Sequence, residues 1–190
     1  LSSLPKRELQ SGLAEVIKHG IIADRSFYEY IENNLNKIME LDENTMQYVA
    51  RTNCLIKGNI VEQDEKESHL RAVLNFGHTI GHAVESVSNF ELLHGECVSI
   101  GMIGAFKMAE YMGMVDEKAT KRVSDILTLA GLPVRIKDLD IEKVFEQMFY
   151  DKKIRNNRLT FVLPKDIGEV IQVKIDNSEL IKKVLMDLSA

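Results

Sequence analysis

The chain contains 190 residues, of which 45% are hydrophobic and 28% are charged, and its formal net charge is −5 at pH 7. This composition is typical of a folded globular protein and supplies enough apolar side chains for one sizeable core. The acidic balance argues against a nucleic-acid or membrane-surface binder, because both classes need an excess of basic residues. No apolar run reaches the length that crosses a bilayer. We therefore expect a cytoplasmic protein with no nucleic-acid or membrane partner.

The first two thirds of the chain show helical periodicity. Ser3 and Pro5 precede a first helix, and Asp42 is the predicted N-cap of the third. The fifth predicted helix is apolar almost all round, which indicates a central, buried position, and Gly101 and Gly104 within it suggest close helix packing. The predicted helices of this part cover residues 9–22, 27–40, 45–63, a segment within 71–98, and 96–112.

The last third of the chain changes from helix to strand and back. Asp116 opens a helix that ends at Gly131, and Asp140 opens another that reaches Tyr150. Residues 158–164 and 168–175 predict two strands around an Asp-Ile-Gly turn, followed by a terminal helix from about residue 178. We therefore predict that residues 1–190 form a single, mainly α domain: a multi-helix domain with a small β-hairpin near the C-terminus.

Two cysteines, Cys54 and Cys97, lie in apolar helical context. Free cysteines in such a context are usually buried, and we predict this for both. Two thiols do not make a disulfide framework, which is consistent with a cytoplasmic protein.

Residues 71–98 are the most informative stretch, because a helix through them has two unlike faces. One face is apolar and consists of Val73, Phe76, Ile80, Ala83, Val84 and Val87. The other carries groups that bind ligands or metals and consists of Arg71, Asn75, His78, His82 and Glu85. Two histidines four residues apart project from one side of a helix, as metal and phosphate sites require. Gly77 and Gly81 nearby indicate that something approaches this segment closely.

Other polar residues fit the same kind of site. Glu15 and Lys18 lie opposite the apolar stripe of the first helix, where a solvated ion pair is the simpler interpretation. Lys57 lies on an apolar stripe, so it either extends its amine to solvent or faces a pocket. The spacing predicts a metal or anion site built from helices, with Glu15, His78 and either His94 or His82 as zinc ligands.

Five ordered blocks of this sequence resemble 3-dehydroquinate synthase. They are LPKRELQSGLAEVIKHGII, LIKGNIVEQDEKE, LRAVLNFGHTIGHAVE, LLHGECVSIGM, and DKK followed by FVLP. The resemblance runs from about residue 3 to residue 173 and covers the C-terminal, mainly helical domain of that family. Complete members carry an N-terminal NAD-binding domain, which this chain lacks, so we expect a C-terminal fragment or an excised domain.

The resemblance implies a lyase of the shikimate pathway that converts 3-deoxy-D-arabino-heptulosonate 7-phosphate into 3-dehydroquinate and phosphate. It implies zinc or cobalt and NAD as cofactors, a homodimer when full length, and no turnover by residues 1–190 alone. By match of motif, the metal ligands would be Glu15, His78 and His94.

The same match assigns roles to several polar residues. Catalytic roles would fall to His82, Lys18 and Lys57, and substrate binding to Arg71, Asn75, Lys57, His82 and Lys152. His69 and Asn157 depart from the family pattern, where glycines are usual. Three other interpretations stay open: a related sugar-phosphate cyclase, a metal-dependent polyol dehydrogenase and a non-catalytic helical assembly domain. If the first helix packs against the absent domain, Ser11, Glu15 and Lys18 should be exposed to solvent.

Overall fold

A computed structural model describes residues 3–63, 71–150 and 159–189, except for the side chains of Gln63 and Arg71. These residues fold into a helical domain with one antiparallel hairpin near the C-terminus, which confirms the predicted fold class. The elements are α1 (Lys6–Ala23), α2 (Arg25–Met39), α3 (Glu43–Gln63), a 3-10 helix (Arg71–Asn75), α4 (His78–Val87), α5 (His94–Tyr111), α6 (Glu117–Leu129), α7 (Ile141–Tyr150), β1 (Leu159–Asp166), β2 (Glu169–Ile175) and α8 (Ser178–Ser189).

Aspartate side chains begin several helices as the sequence predicts. Asp42 Oδ1 accepts a hydrogen bond from the Thr45 backbone N–H at 2.9 Å, and Asp116 Oδ1 accepts one from Ala119 at 2.9 Å. These bonds satisfy backbone donors that have no partner within the first turn of a helix. The first helix differs, since Pro5 occupies its N-cap position and no side chain there accepts such a bond.

The two-faced segment that starts at residue 71 was predicted as one helix; it is interrupted, so that prediction was wrong. A 3-10 helix ends at Asn75, and α4 begins only at His78 because Gly77 lies between them in the left-handed region, with φ of 77°. Glycine adopts this conformation without the steric penalty of a Cβ. A second break at residues 88–93 separates α4 from α5. The buried side of the segment is nevertheless as expected, with Phe76 and Val84 fully buried.

Helix α5 is the centre of the fold, as predicted. It packs against α1, α4, α6, α8 and β1, and most of its side chains are buried. The approach to α4 is so close that a Cβ on Gly101 would lie 1.8 Å from the Gly77 carbonyl oxygen, while one on Gly81 would lie 3.0 Å from the Cys97 oxygen. Gly77 and Gly81 therefore serve helix packing, and the close approach that they indicate is made by helix α5.

The hairpin flanks the start of α4. Its register pairs Thr160 with Lys174 and Val162 with Gln172, and the Thr79 hydroxyl donates a hydrogen bond to the Thr160 carbonyl at 3.3 Å. The buried apolar side chains of helices and hairpin form one contiguous core. In the described ranges, no helix is both long enough and apolar enough for a transmembrane segment.

The two cysteines differ in environment. Cys97 on α5 is buried, as predicted, but Cys54 on α3 is exposed, so the second prediction was wrong. Helix α3 lies at the periphery, and its apolar side chains do not all face the core: Leu55, beside Cys54, is also exposed.

Candidate metal centre

Three helices bring the predicted metal ligands together. Glu15 lies in the middle of α1, while His78 and His94 are the first residues of α4 and α5. Glu15 Oε1 lies 3.7 Å from His78 Nε2 and 3.9 Å from His94 Nε2. One ligand atom from each of the three side chains lies within 4.8 Å of the other two. A carboxylate with two imidazoles and room for a further ligand is the donor set of many catalytic zinc sites.

The HGE sequence places His94 beside Glu15. Gly95 packs so tightly on α1 that a Cβ there would lie 2.0 Å from the Ser11 carbonyl oxygen, and its N–H donates to the Ser11 hydroxyl at 3.0 Å. Glu96 accepts a hydrogen bond from the Leu93 N–H at 2.8 Å and pairs with Arg7 at 2.6 Å. The start of α5 is thereby fixed to the first turns of α1.

Glu15 has the features of a metal ligand rather than of a solvated pair. Its Oε2 accepts a hydrogen bond from Lys18 Nζ at 2.7 Å, but its buried Oε1 has no hydrogen-bond partner among the described residues. A buried carboxylate oxygen without a partner is costly, and a cation between the two imidazoles would satisfy it. Burial opposes ionisation of Glu15, but the charge and hydrogen bond of Lys18 outweigh it and hold its pKa below the ordinary value. The carboxylate is therefore ionised and ready for a metal.

His78 is held as a neutral imidazole with its Nε2 toward Glu15. Its Nδ1 lies 3.0 Å from the Phe76 carbonyl oxygen, which can only accept, so the proton is on Nδ1 and the lone pair on Nε2. Burial, assisted by the charge of Lys18, lowers the pKa of His78 to about 4. Metal ligands need this neutral form, and an outer hydrogen bond on the second ring nitrogen is usual for them.

Buried neutral histidines should make the metal-free chain less stable in acid. The pKa of His78 is about 4 in the folded chain, and burial also lowers the pKa of His19; both groups have an ordinary value of 6.5. Between about pH 4 and about pH 6.5 the unfolded chain binds more protons than the folded chain. The free energy of unfolding is therefore highest above about pH 6.5 and decreases as the pH falls toward about 4. Urea unfolding at about pH 7.5 and about pH 5 should show this loss, and H78Q should reduce it. Equal stability at the two pH values would contradict the prediction.

His82 lies next to the candidate ligands without joining their cluster. Its exposed ring is centred 5.1 Å from the His78 ring and 5.9 Å from the His94 ring. It borders a cavity of about 400 Å³ between the 3-10 helix, α4 and the hairpin. The residues around the cavity are mostly uncharged and polar; they include Asn75, His78, Thr79, His82, Thr160 and Gln172. A cavity of this size suits a small polar molecule that touches the metal centre on one side.

Lys18 is buried, so the expectation that it would be exposed with Ser11 and Glu15 was wrong. Only 2% of Lys18 is accessible, and its Nζ donates to Glu15 at 2.7 Å and to the Leu74 carbonyl at 2.9 Å. Burial lowers the pKa of Lys18 despite the opposing effect of Glu15. Ser11 is half-buried because its hydroxyl accepts the Gly95 N–H.

The remaining predicted site residues lie at the rim or outside the described residues. Asn75 ends the 3-10 helix and is exposed beside the cavity. Lys57 is exposed on α3, and its charge lies close enough to contribute to the lowered pKa of Lys18. Arg71 begins the 3-10 helix, but its side chain is not described, and Lys152 lies outside the described residues. His69 and Asn157 lie outside them as well.

Two residues near the site were not assigned from the sequence. His19 is buried, and its Nδ1 lies 2.6 Å from Asn53 Oδ1, which links α1 to α3. The sequence signal that could have placed His19 near the site is its position four residues after Glu15, because residues i and i+4 lie on the same face of a helix. Glu85 was placed on the polar face of its segment but given no role, and its carboxylate lies 3.3 Å from His94 Nδ1.

Solved structures with the same fold define the class of protein. One is a 2-epi-5-epi-valiolone synthase from Streptomyces hygroscopicus with NAD+ and Zn2+ bound; the TM-score is 0.87 at 26% identity, over 98% of this chain and 52% of that chain. A 2-deoxy-scyllo-inosose synthase complexed with carbaglucose-6-phosphate, NAD+ and Co2+ shares the fold, with a TM-score of 0.84 at 23% identity over 98% of this chain and 54% of that one. The domain has the fold of one half of the sugar-phosphate cyclases.

Sequence comparison identifies the family within that class. Residues 12–154 match the family described as 3-dehydroquinate synthase C-terminal, and the chain belongs to this family. The 3-dehydroquinate synthase of Acetivibrio thermocellus is 60% identical over 189 residues, which are 99% of this chain and 52% of that protein. That of Ruminiclostridium cellulolyticum is 59% identical over 189 residues, 100% of this chain and 53% of that protein. The chain thus spans about half the length of these curated relatives.

Proposed function

We propose that residues 1–190 are the metal- and substrate-binding half of a 3-dehydroquinate synthase. With an N-terminal half that holds NAD, it would convert 3-deoxy-D-arabino-heptulosonate 7-phosphate into 3-dehydroquinate and phosphate. The observation that carries this proposal is the Oε1 of Glu15, which has no hydrogen-bond partner in the described part of the chain and lies within 3.9 Å of the Nε2 atoms of two histidines. The 60% identity to a relative of this name supports this substrate over those of other cyclases.

The candidate ligands fit a divalent cation, zinc or cobalt. Such an ion would supply positive charge to stabilise a substrate hydroxyl oxygen during an oxidation by NAD. Glu15 contributes an ionised oxygen, while His78 contributes a neutral nitrogen whose tautomer is fixed by the Phe76 carbonyl. Lys18 keeps Glu15 ionised and oriented from behind. We propose this as the primary role of Lys18, with any contact to the reacting hydroxyls secondary.

The cavity beside His82 is the proposed position of the substrate. Asn75 and His82 border it and would bind hydroxyl or phosphate oxygens, and Lys57 would supply positive charge from α3. By motif, Arg71 and Lys152 would pair with the carboxylate and phosphate of the substrate. Oxidation of a ring hydroxyl to a ketone would make the neighbouring C–H acidic, and the substrate's own phosphate could accept that proton. Arg71, Lys152 and the other anion-binding side chains would then act mainly by holding the phosphate in place. His82 would exchange protons with the phosphate end.

The proposal is tested with a chimera of two halves. This chain replaces the matching half of the Acetivibrio thermocellus relative, which it resembles over 189 residues. We expect the chimera to release phosphate from the heptulosonate phosphate and form 3-dehydroquinate, and the 190-residue chain alone to do neither. In the chimera, H82A should lower kcat by about 100-fold or more, in the range of lost general acid–base catalysis.

Two results would contradict the proposal. Phosphate release by the isolated chain would show that the chain does not need a second half. A folded, zinc-loaded chimera that cyclises a different sugar phosphate, but not this one, would assign the chain to another cyclase. We also propose that the protein is cytoplasmic. From the family resemblance we propose that the full-length protein is a homodimer, and sedimentation of the chimera would test this oligomeric state.

A further inference from the structure

Glu85 lies directly behind a candidate metal ligand. It is near the C-terminal end of α4, whereas His94 begins α5, and the loop of residues 88–93 turns the chain between them. Glu85 Oε1 lies 3.3 Å from His94 Nδ1, while Glu15 Oε1 lies 3.9 Å from the other ring nitrogen, Nε2. The Glu85 side chain is only 20% exposed, whereas that of His94 is 45% exposed. The more buried carboxylate of Glu85 therefore contacts the more exposed imidazole of His94.

This contact decides which nitrogen of His94 is available. A carboxylate accepts and does not donate, so the ring proton must lie on Nδ1 for the hydrogen bond to form. The lone pair is then on Nε2, which faces Glu15. In the other tautomer the proton would lie on Nε2, and that nitrogen could not bind a cation. Carboxylate–histidine pairs of this kind orient metal ligands and raise their basicity.

Glu85 also belongs to a second possible cluster. Ligand atoms of His82, Glu85 and His94 lie within 4.8 Å of one another, as those of Glu15, His78 and His94 do. The two clusters share His94, so a metal at one competes with a metal at the other. The Glu85–His94 hydrogen bond favours the Glu15 cluster, because it engages Nδ1 and leaves Nε2 toward Glu15. The unpartnered Oε1 of Glu15 favours the same choice.

The other polar contacts of His94 do not replace this bond. Among the described residues, its ring nitrogens contact Glu85 and Glu15 within 4.0 Å. Its ring also lies 5.2 Å from that of His78, centroid to centroid, which constrains position but not the tautomer. Because His94 is half exposed, its ring has room to turn once Glu85 is removed.

We infer that Glu85 is a positioning residue that fixes the tautomer and orientation of His94 and thereby directs the metal to Glu15, His78 and His94. The inference deepens the proposed function and rests on its metal site. It does not depend on the substrate, because its consequences are visible in metal binding alone.

The test is zinc titration of the 190-residue chain and its variants, with the ring nitrogens of His94 followed by nitrogen NMR. E85A should weaken zinc binding by about 10–100-fold, the usual effect of losing an outer-shell partner, and populate the tautomer with the proton on Nε2. E85Q should restore much of the affinity, since its amide oxygen still accepts from Nδ1. E91Q is the matched control: it removes one negative charge from the α4–α5 loop, where Glu91 is exposed, and should leave the affinity unchanged.

Each outcome bears on the inference. Equal losses in E85A and E91Q would show a general charge effect and overturn it. An unchanged His94 tautomer in a folded E85A would also overturn it, and thermal unfolding verifies the fold. Loss of zinc binding in H82A would place the metal in the other cluster, with Glu85 as a ligand, and would contradict it too. A chimera that binds zinc as expected but does not cyclise the sugar phosphate would instead contradict the proposed function alone.

Discussion

Replacing His94 with alanine should nearly abolish zinc binding, with an affinity loss greater than about 100-fold. Loss of an outer-shell partner costs about 10–100-fold, and His94 is one of three candidate ligands in direct reach of the metal position. The variant should still fold, since the His94 side chain is 45% exposed and contributes little to the core. Calorimetric titration of the 190-residue chain measures the change; the wild type should bind one zinc per chain.

H82A is the control for this experiment. His82 is also an exposed imidazole within 5.9 Å of the His94 ring, but it lies outside the proposed cluster. H82A should retain zinc binding, so a loss confined to H94A would separate a ligand from a neighbour. Unchanged binding in H94A would contradict the ligand assignment. If the wild-type chain binds no zinc, the same titration on the chimera decides whether the ligands converge only when the second half is present.

Replacing Gly101 with alanine should destabilise the chain by about 3 kcal/mol or more, an unusually large effect for one methyl group. The added Cβ would lie 1.8 Å from the Gly77 carbonyl oxygen and 2.9 Å from the Gly81 nitrogen, and both are backbone atoms. Helices α4 and α5 would have to separate, which moves His78 relative to His94. We therefore expect a lower free energy of unfolding in urea and weaker zinc binding together.

Gly58 in α3 provides the matched control. A Cβ at this position meets no atom of the described residues within 4 Å, and alanine is a better helix former than glycine by up to about 1 kcal/mol. G58A should therefore be neutral or stabilising. Comparable unfolding free energies for G101A and G58A would show that α4 and α5 do not pack as closely as described.

Local sequence signals predicted most of the secondary structure. Asp42 and Asp116 cap helices because a short acceptor side chain reaches the free N–H groups of the first turn, which is a local interaction. The two strands and their turn follow from β-branched residues on either side of an Asp-Ile-Gly sequence. The prediction of one helix at residues 71–98 failed because the helical periodicity of the side chains continues through Gly77, whereas the helical backbone is interrupted there.

Burial was harder to predict than secondary structure. Lys18 was expected to be exposed, but the Leu74 carbonyl and Glu15 both bind its ammonium and permit its burial. Cys54 was expected to be buried, but it is exposed on α3. Both outcomes depend on which other element packs against a helix, and one helix's sequence contains no such information.

The sequence by itself determined the fold class and, through its motifs, the identity of Glu15, His78 and His94 as candidate ligands. These features depend on short-range order: side-chain spacing, helix caps and contiguous motifs. Only the tertiary structure showed that the three side chains meet and that Glu85 contacts His94 at its ring nitrogen Nδ1. It alone showed that one oxygen of Glu15 has no partner within the described ranges. The reason is physical: these contacts join residues far apart in the chain, and packing between α1, α4 and α5, made possible by Gly77, Gly95 and Gly101, brings them within a few ångströms.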